Sequence, residues 1–287
     1  MTKNKRLLRR KAVRILSNLY AVLIYSIFYI PVAVMILFSF NDAKRNYYWQ
    51  GFTTEWYGKL FSFANTDLWD ALLYSLIIAV LATLISVTIG VLGGIGLKKF
   101  EFRTKRFINM MIYVPIIVPE IVLAVAMLII FMTVGIRLGM GTILIGHCTF
   151  CIPYAVVTIK GRITGDSETL QEASMDLGAN RFQTFWRVTV PSIMPGILSS
   201  AFLAFTLSID DVVMSNMLAG PSQSTLPVLI LSLNRTGITP DVNALTTVMV
   251  ALMVAGMLVL NGVPVGVALV AATLAGMLAG LVTGLFH

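Results

Sequence analysis

Long apolar runs alternate with short polar segments along the chain. Six runs have the length of a membrane-spanning helix, at residues 19–40, 72–97, 107–134, 140–159, 196–219 and 242–260. A helix crosses the hydrocarbon layer of a bilayer in about 20 residues. Helices suit that layer because lipid offers no hydrogen-bond partner for backbone N–H and C=O groups. The pattern therefore predicts an all-α integral membrane protein with six core transmembrane helices over residues 19–260.

A further apolar segment, residues 261–287, follows the sixth run almost directly. It has no Asp, Glu, Lys or Arg, and Gly276, Gly280 and Gly284 recur at every fourth position, as on a closely packed helix face. Three interpretations stay open: a seventh span, an interfacial or re-entrant helix, or a foreign or frameshifted end.

The composition excludes a soluble protein. Hydrophobic residues make up 57% of the 287 residues and charged residues 12%, which is about half the charged share of a typical globular domain. The net charge of +8 comes from basic residues in short blocks between apolar runs. We therefore expect no nucleic-acid binding, because these blocks set the orientation of a membrane protein.

The distribution of Lys and Arg predicts the orientation. With the N-terminus inside, sixteen of the 21 basic residues fall on the inner side, seven of them within the basic segment 1–18. Positive charge accumulates on the cytoplasmic side of spanning helices. We therefore expect a multi-pass protein of the bacterial inner membrane with a cytoplasmic N-terminus.

The inner loop at residues 160–195, called the EAA loop below, has a distinctive spacing. Glu172 and Ala173 are followed by Gly178 and then, after nine residues, by Val188-Thr189-Val190-Pro191. Glycine suits the left-handed residue that ends a helix, so we predict a short helix up to Asp176 and a second helix from about residue 180 that Pro191 stops. A loop lying on the inner leaflet is the alternative.

This spacing resembles the EAA motif of ATP-binding cassette importer permeases, which reads EAA, three residues, G, nine residues, I-x-L-P. Ser174 replaces the second alanine, and valines replace Ile and Leu. The resemblance implies that Glu172, Ala173, Asp176, Gly178 and Pro191 couple the chain to a separate ATPase subunit. The chain has no G-x-x-x-x-G-K-[ST] phosphate-binding motif, so ATP and magnesium are expected on that partner.

Three carboxylates lie within the apolar runs. Glu120 follows Pro119 in the third run, and Asp210 and Asp211 lie in the fifth, with Ser208 three residues before Asp211. An ionisable group in the membrane usually faces water, a partner or a ligand. Because no Lys or Arg is predicted within the spans, we expect these four residues to line a cation pathway; helix capping or helix–helix contact is the alternative, above all for Asp210.

Four stretches, residues 49–57, 119–122, 205–213 and 240–244, resemble the spermidine/putrescine permeases of the PotC type. That resemblance implies the type I (MetI-like) importer permease fold, and polyamines as cargo. It also implies a PotB-type second permease subunit, two PotA-type ATPase subunits, an extracytoplasmic polyamine-binding protein, and a place for Trp56 at that protein or at the channel mouth.

Two alternatives in function stay open, a permease for another small cationic solute and an ATP-independent cation transporter or channel. We expect no catalytic residues, because no nucleophile–base pair is visible. We also expect no metal site, because Cys148 and Cys151 have no second ligand pair and suit apolar packing.

Overall fold

The computed structural model describes residues 2–45, 47–62, 66–163, 165–221, 224–237 and 239–260. The apolar segment 261–287, with its three interpretations, lies outside the described residues. The described residues form twelve α-helices: α1 Thr2–Phe38, α2 Glu55–Phe61, α3 Thr66–Lys99, α4 Lys105–Ile117, α5 Glu120–Val134, α6 Met140–Arg162, α7 Gly165–Asp176, α8 Arg181–Thr184, α9 Val190–Ile209, α10 Val213–Leu218, α11 Leu226–Thr236 and α12 Pro240–Leu260. A π-helical segment, Phe185–Thr189, joins α8 to α9.

The six predicted apolar runs are all helical, which confirms the all-α membrane architecture. Among the described residues, four helical segments are long and apolar enough to cross a membrane: Val13–Phe38, Thr66–Lys99, Met140–Arg162 and Arg181–Ile209. The pair α4 and α5 makes a fifth crossing if it is counted as one bent span, and Pro240–Gly256 is a shorter apolar helix.

Two of the runs are broken, and one of these breaks was not expected. The third run bends by 107° between α4 and α5, where Pro119 directly precedes Glu120 and favours an interruption, whereas Pro115 lies inside α4. The fifth run, predicted as one helix over residues 196–219, ends as α9 at Ile209 and resumes as α10 at Val213. The neighbouring residues Asp210 and Asp211 therefore lie in a break and not on one helix face.

The chain divides into two compact units, which are described separately. One unit comprises Met1–Thr66 together with Leu233–His287, and the other comprises Asp67–Ser232. In the first unit, α12 contacts α1 and α2. In the second, α6 packs along α9, and α5 and α10 contact each other beside them.

Close packing of α3 on α6 depends on glycines of α3. A Cβ atom added at Gly90 would lie 2.6 Å from the Cβ of Ala155, and one added at Gly94 would lie 3.2 Å from Cγ2 of Ile159. Those separations leave no room for a side chain. Glycine at these two positions therefore allows α3 and α6 to pack closely.

The EAA loop folds into two helices that meet at a glycine. Gly178 has φ +90°; its N–H donates to the carbonyl of Met175 at 2.9 Å, and Ala179 N–H donates to Ser174 at 3.1 Å. These two bonds form the Schellman motif that ends many helices. Asn180 then caps α8, accepting a hydrogen bond from Gln183 N–H at 2.8 Å.

Pro191 does not end the second helix, so that prediction was wrong. The π-helical segment before it shifts the hydrogen bonds by one residue, and Val190 N–H donates to the carbonyl of Phe185. Pro191 then falls in the first turn of α9, where a missing N–H removes no intrahelical bond. The helix consequently runs on from the EAA loop into the fifth span.

Candidate functional site

The second unit contains a cavity of about 610 Å³ at the place where its two broken spans meet. The α4–α5 break contributes Val118, Pro119 and Glu120, and the α9–α10 break contributes Asp210 and Asp211. Helix α6 completes the wall with Phe150 and Tyr154. The structure therefore brings the three predicted carboxylates together around one cavity.

The α4–α5 break follows from its prolines. Val118 and Pro119 are extended, with ψ angles of 131° and 133°, because a residue before proline disfavours the helical region. The last carbonyls of α4 have no intrahelical donors, and Pro115, Ile116 and Ile117 line the cavity. Glu120 is the first residue of α5 and is exposed.

The α9–α10 break is stabilised by Asp211. Its Oδ1 accepts a hydrogen bond from Met214 N–H at 3.2 Å, and its Oδ2 accepts one from Ser215 N–H at 2.7 Å. Asp211 thus satisfies N–H groups of α10 that have no intrahelical acceptor. Capping had been considered mainly for Asp210, which is instead the exposed residue that closes α9.

His147, on α6, is paired with Asp211, although no Lys or Arg was expected within the spans to balance these carboxylates. The His147 Nε2 atom lies 3.0 Å from Asp211 Oδ2, and both side chains are only 1% exposed. The ring also lies 2.6 Å from Ser208 Oγ through Nδ1 and 3.1 Å from Ser215 Oγ through Nε2. The sequence analysis missed His147, although a single histidine in an apolar span is itself a signal.

The cavity is acidic. Glu120, Asp210 and Asp211 all line the same space. Among the described residues that line it, none is Lys or Arg. Carboxylates this close repel each other, so an ammonium group between them would be stabilised by the charge that surrounds it.

Aromatic rings extend this surface in a way that the sequence analysis missed. Phe150 and Tyr154 are four residues apart on α6 and both line the cavity, as i and i+4 positions share a helix face. The face of an aromatic ring attracts cations. The cavity therefore combines acidic groups with rings, which suits an extended cation with apolar segments between its charges.

Two predicted pathway residues have other contacts. Ser208 is 4% exposed and is hydrogen-bonded to His147, and it does not line the cavity. Trp56 belongs to the first unit, on α2. Its indole N–H donates to the carbonyl of Asn41 at 2.8 Å, and Lys59 Nζ lies 4.5 Å from its ring centroid.

The EAA loop presents a second surface, with both charged and apolar groups. The predicted coupling residues Glu172, Ala173, Asp176, Gly178 and Pro191 are all exposed. Beside them, Leu177 is 90% exposed, Phe182 72% and Trp186 55%. Large apolar side chains that project at a helix junction are typical of a docking surface.

The chain is similar to known transport proteins. Residues 86–268 match the family model described as "Binding-protein-dependent transport system inner membrane component". The chain is 39% identical to the spermidine/putrescine transport system permease protein PotC of Escherichia coli K12, over 83% of this chain and 90% of that protein. It is 35% identical to the putrescine transport system permease protein PotI of the same organism, over 78% and 81%.

A solved structure supports the fold. The chain superposes on a bacterial ABC transporter involved in the import of the acidic polysaccharide alginate with a TM-score of 0.62, over 98% of this chain and 95% of that one, at 15% identity. This similarity confirms the importer permease fold that the resemblance to PotC-type permeases implied. The chain therefore belongs to the family of binding-protein-dependent transport system inner membrane components, the permease subunits of ATP-binding cassette importers.

Proposed function

We propose that this permease forms half of the membrane pathway of a polyamine importer, with spermidine or putrescine as cargo. The observation that carries the proposal is the cavity at the two helix breaks, where Glu120, Asp210 and Asp211 meet without a lining Lys or Arg. A linear polyamine carries ammonium groups separated by methylene segments, which matches acidic groups interspersed with apolar and aromatic ones. The similarity to PotC and PotI supports the same cargo.

The carboxylates have different parts in this proposal. Glu120 and Asp210 are exposed toward the cavity, so they contact ammonium groups directly. Asp211 is buried and holds α10, so it contributes mainly through its charge. Weak contacts at several groups favour release as well as entry, and selectivity then depends largely on an extracytoplasmic binding protein.

Energy for transport comes from partners through the EAA loop. Two PotA-type ATPase subunits bind ATP and magnesium, and one of them docks on Glu172, Ala173, Asp176 and Gly178 of this chain. Because the helix continues through Pro191 into α9, a displacement of the loop is passed to the α9–α10 break. A PotB-type permease subunit supplies the other half of the pathway.

The proposal also includes the orientation of the chain in the membrane and the position of Trp56. The positive-charge bias places the N-terminus in the cytoplasm of a bacterial cell and the protein in the inner membrane. The loop that carries Trp56 is then extracytoplasmic, where the binding protein docks. The hydrogen bond from Trp56 to Asn41 keeps that loop in one conformation.

Reconstitution tests the proposal. The chain is co-expressed with its ATPase, second permease and binding protein, purified as a complex and inserted into liposomes, and uptake of radiolabelled spermidine and putrescine is measured with and without ATP inside. We expect ATP-dependent uptake that unlabelled polyamines, but not alginate or methionine, compete. Uptake without ATP would indicate a cation channel, and competition only by a different cation would correct the cargo.

A further inference from the structure

The one histidine within the described spans connects three elements around the α9–α10 break. His147 on α6 contacts Ser208 near the end of α9, Asp211 in the break and Ser215 in α10. Its side chain is fully buried. Both ring nitrogens are therefore engaged, and both halves of the broken span are attached to α6 through one ring.

The hydrogen bonds fix the orientation of the ring. Asp211 Oδ2 is an acceptor 3.0 Å from Nε2, so Nε2 carries a proton and donates it. Nδ1 lies 2.6 Å from the hydroxyl of Ser208, which can donate or accept. Partners of this kind fix the tautomer and the orientation of a histidine.

Asp211 is held from two sides as a result. Its Oδ1 accepts from Met214 N–H, and its Oδ2 accepts from Ser215 N–H and from His147. The backbone bonds fasten the carboxylate to α10, whereas the imidazole bond fastens it to α6. The imidazole bond fixes the Asp211 carboxylate itself relative to the cavity wall that α6 provides through Phe150 and Tyr154. The far end of α10 is attached to α6 separately, where Thr142 Oγ1 donates to the carbonyl of Leu218 at 2.8 Å.

We propose that His147 is a positioning residue for transport, which holds the Asp211 carboxylate and the start of α10 against α6 so that the acidic cavity keeps its binding geometry. This inference rests on the proposed polyamine cargo for its kinetic consequence, but the contact itself does not depend on the cargo. His147 does not line the cavity, so it acts on the cargo through Asp211.

Two amide substitutions of His147 test the contacts of its two ring nitrogens separately. The amide nitrogen of His147→Gln reaches the position of Nε2 and can still donate to Asp211, whereas that of the shorter His147→Asn reaches the position of Nδ1 and Ser208. In the reconstituted complex we expect His147→Asn to raise KM for spermidine by about tenfold, because a hydrogen bond to a buried charge is lost. His147→Gln should stay within about threefold of wild type, and Cys151→Ala on the same helix serves as the packing control.

A double-mutant cycle distinguishes positioning from simple packing. If His147 acts through Asp211, the KM effect of His147→Asn largely disappears in an Asp211→Asn background, because coupled residues are not additive. The same cycle is measured by thermal unfolding of the purified complex, which requires no cargo. Equal KM values for wild type and His147→Asn, or an effect of the same size in both backgrounds, would overturn the inference.

The double-mutant cycle measured by thermal unfolding also distinguishes a failure of the His147 inference from a failure of the proposed polyamine cargo. If the wild-type complex takes up no polyamine, the proposed cargo is wrong, and the inference is then decided by unfolding alone. Non-additive destabilisation by His147→Asn and Asp211→Asn supports the positioning contact, and additive destabilisation refutes it.

Discussion

The turn at Gly178 allows a sharp test of the EAA loop. Gly178 has φ +90°, and a Cβ atom added there would meet nothing within 4 Å in this chain. Gly178→Ala therefore introduces no internal clash, and its whole effect on the isolated chain is conformational. A left-handed L-residue other than Gly or Asn costs about 1–2 kcal/mol, which shifts the loop about 5- to 30-fold toward conformations other than the Schellman turn.

The assay is the ratio of polyamine transported to ATP hydrolysed in the reconstituted complex. Because the turn sets the angle between α7 and α8, we expect Gly178→Ala to lower this ratio several-fold while the complex still assembles. Gly178→Asn is the matched control, since asparagine tolerates the left-handed region and should retain most of the coupling.

Two results would refute this reasoning. Wild-type coupling in Gly178→Ala would show that the left-handed turn is not required for transmission. Equal loss in the Ala and Asn variants would show that side-chain volume against the ATPase matters and that backbone conformation does not. Hydrogen exchange over residues 170–184 reports whether the turn itself has opened.

Three further outcomes follow from the same structure. Asp210→Asn should raise KM for spermidine by about tenfold, because it removes one charge from the cavity. Asp67→Asn, at an exposed position at the start of α3, is the control and should leave KM unchanged. Both KM values are measured from the kinetics of spermidine uptake. Gly90→Val should lower the thermal stability of the complex in detergent or prevent its assembly, because even a Cβ atom would lie 2.6 Å from Ala155. Gly96→Val is the control and should be tolerated, because a Cβ atom there would meet nothing. Equal melting temperatures for the two variants would contradict the packing argument. Burial raises the pKa of Tyr57, in α2, and hydrogen bonds to Ser39 and Thr247 partly offset the rise. The packing around α2 should therefore lose stability as pH rises above about 10. Melting curves between pH 9 and 11 should show this dependence in wild type but not in Tyr57→Phe.

Much of the fold was predictable because the bilayer imposes length and polarity on each span. The interruption beside Glu120 was also predictable, since Pro115 and Pro119 are local signals. The break at Asp210 and Asp211 was not, because residues 197–219 contain neither Gly nor Pro. That break is stabilised by a carboxylate that caps α10 and by a histidine some 60 residues away, and neither contact has a local pattern.

The prediction that Pro191 ends the second helix of the EAA loop was wrong for a similar reason. Proline normally stops a helix because it lacks an N–H and collides with the preceding turn. Here the π-helical segment Phe185–Thr189 rearranges the hydrogen bonds just before it, and no simple pattern predicts a π-helical turn. The motif spacing predicted the two helices of the EAA loop and the glycine turn between them, but not the continuity of the second helix with the fifth span.

The two helix breaks also explain how negative charge persists in an apolar environment without a resident Lys or Arg. Glu120 begins α5, and Asp211 precedes α10 and accepts its N–H groups, so each acid lies at the positive end of a helix dipole. Two backbone N–H groups of α10 and the His147 ring stabilise the Asp211 carboxylate, so it needs no Lys or Arg beside it, and a cationic cargo has no resident Lys or Arg to displace. Breaking the two spans therefore creates the cavity and stabilises its charge at the same time, which is why the acids occur at the breaks and not along intact helices.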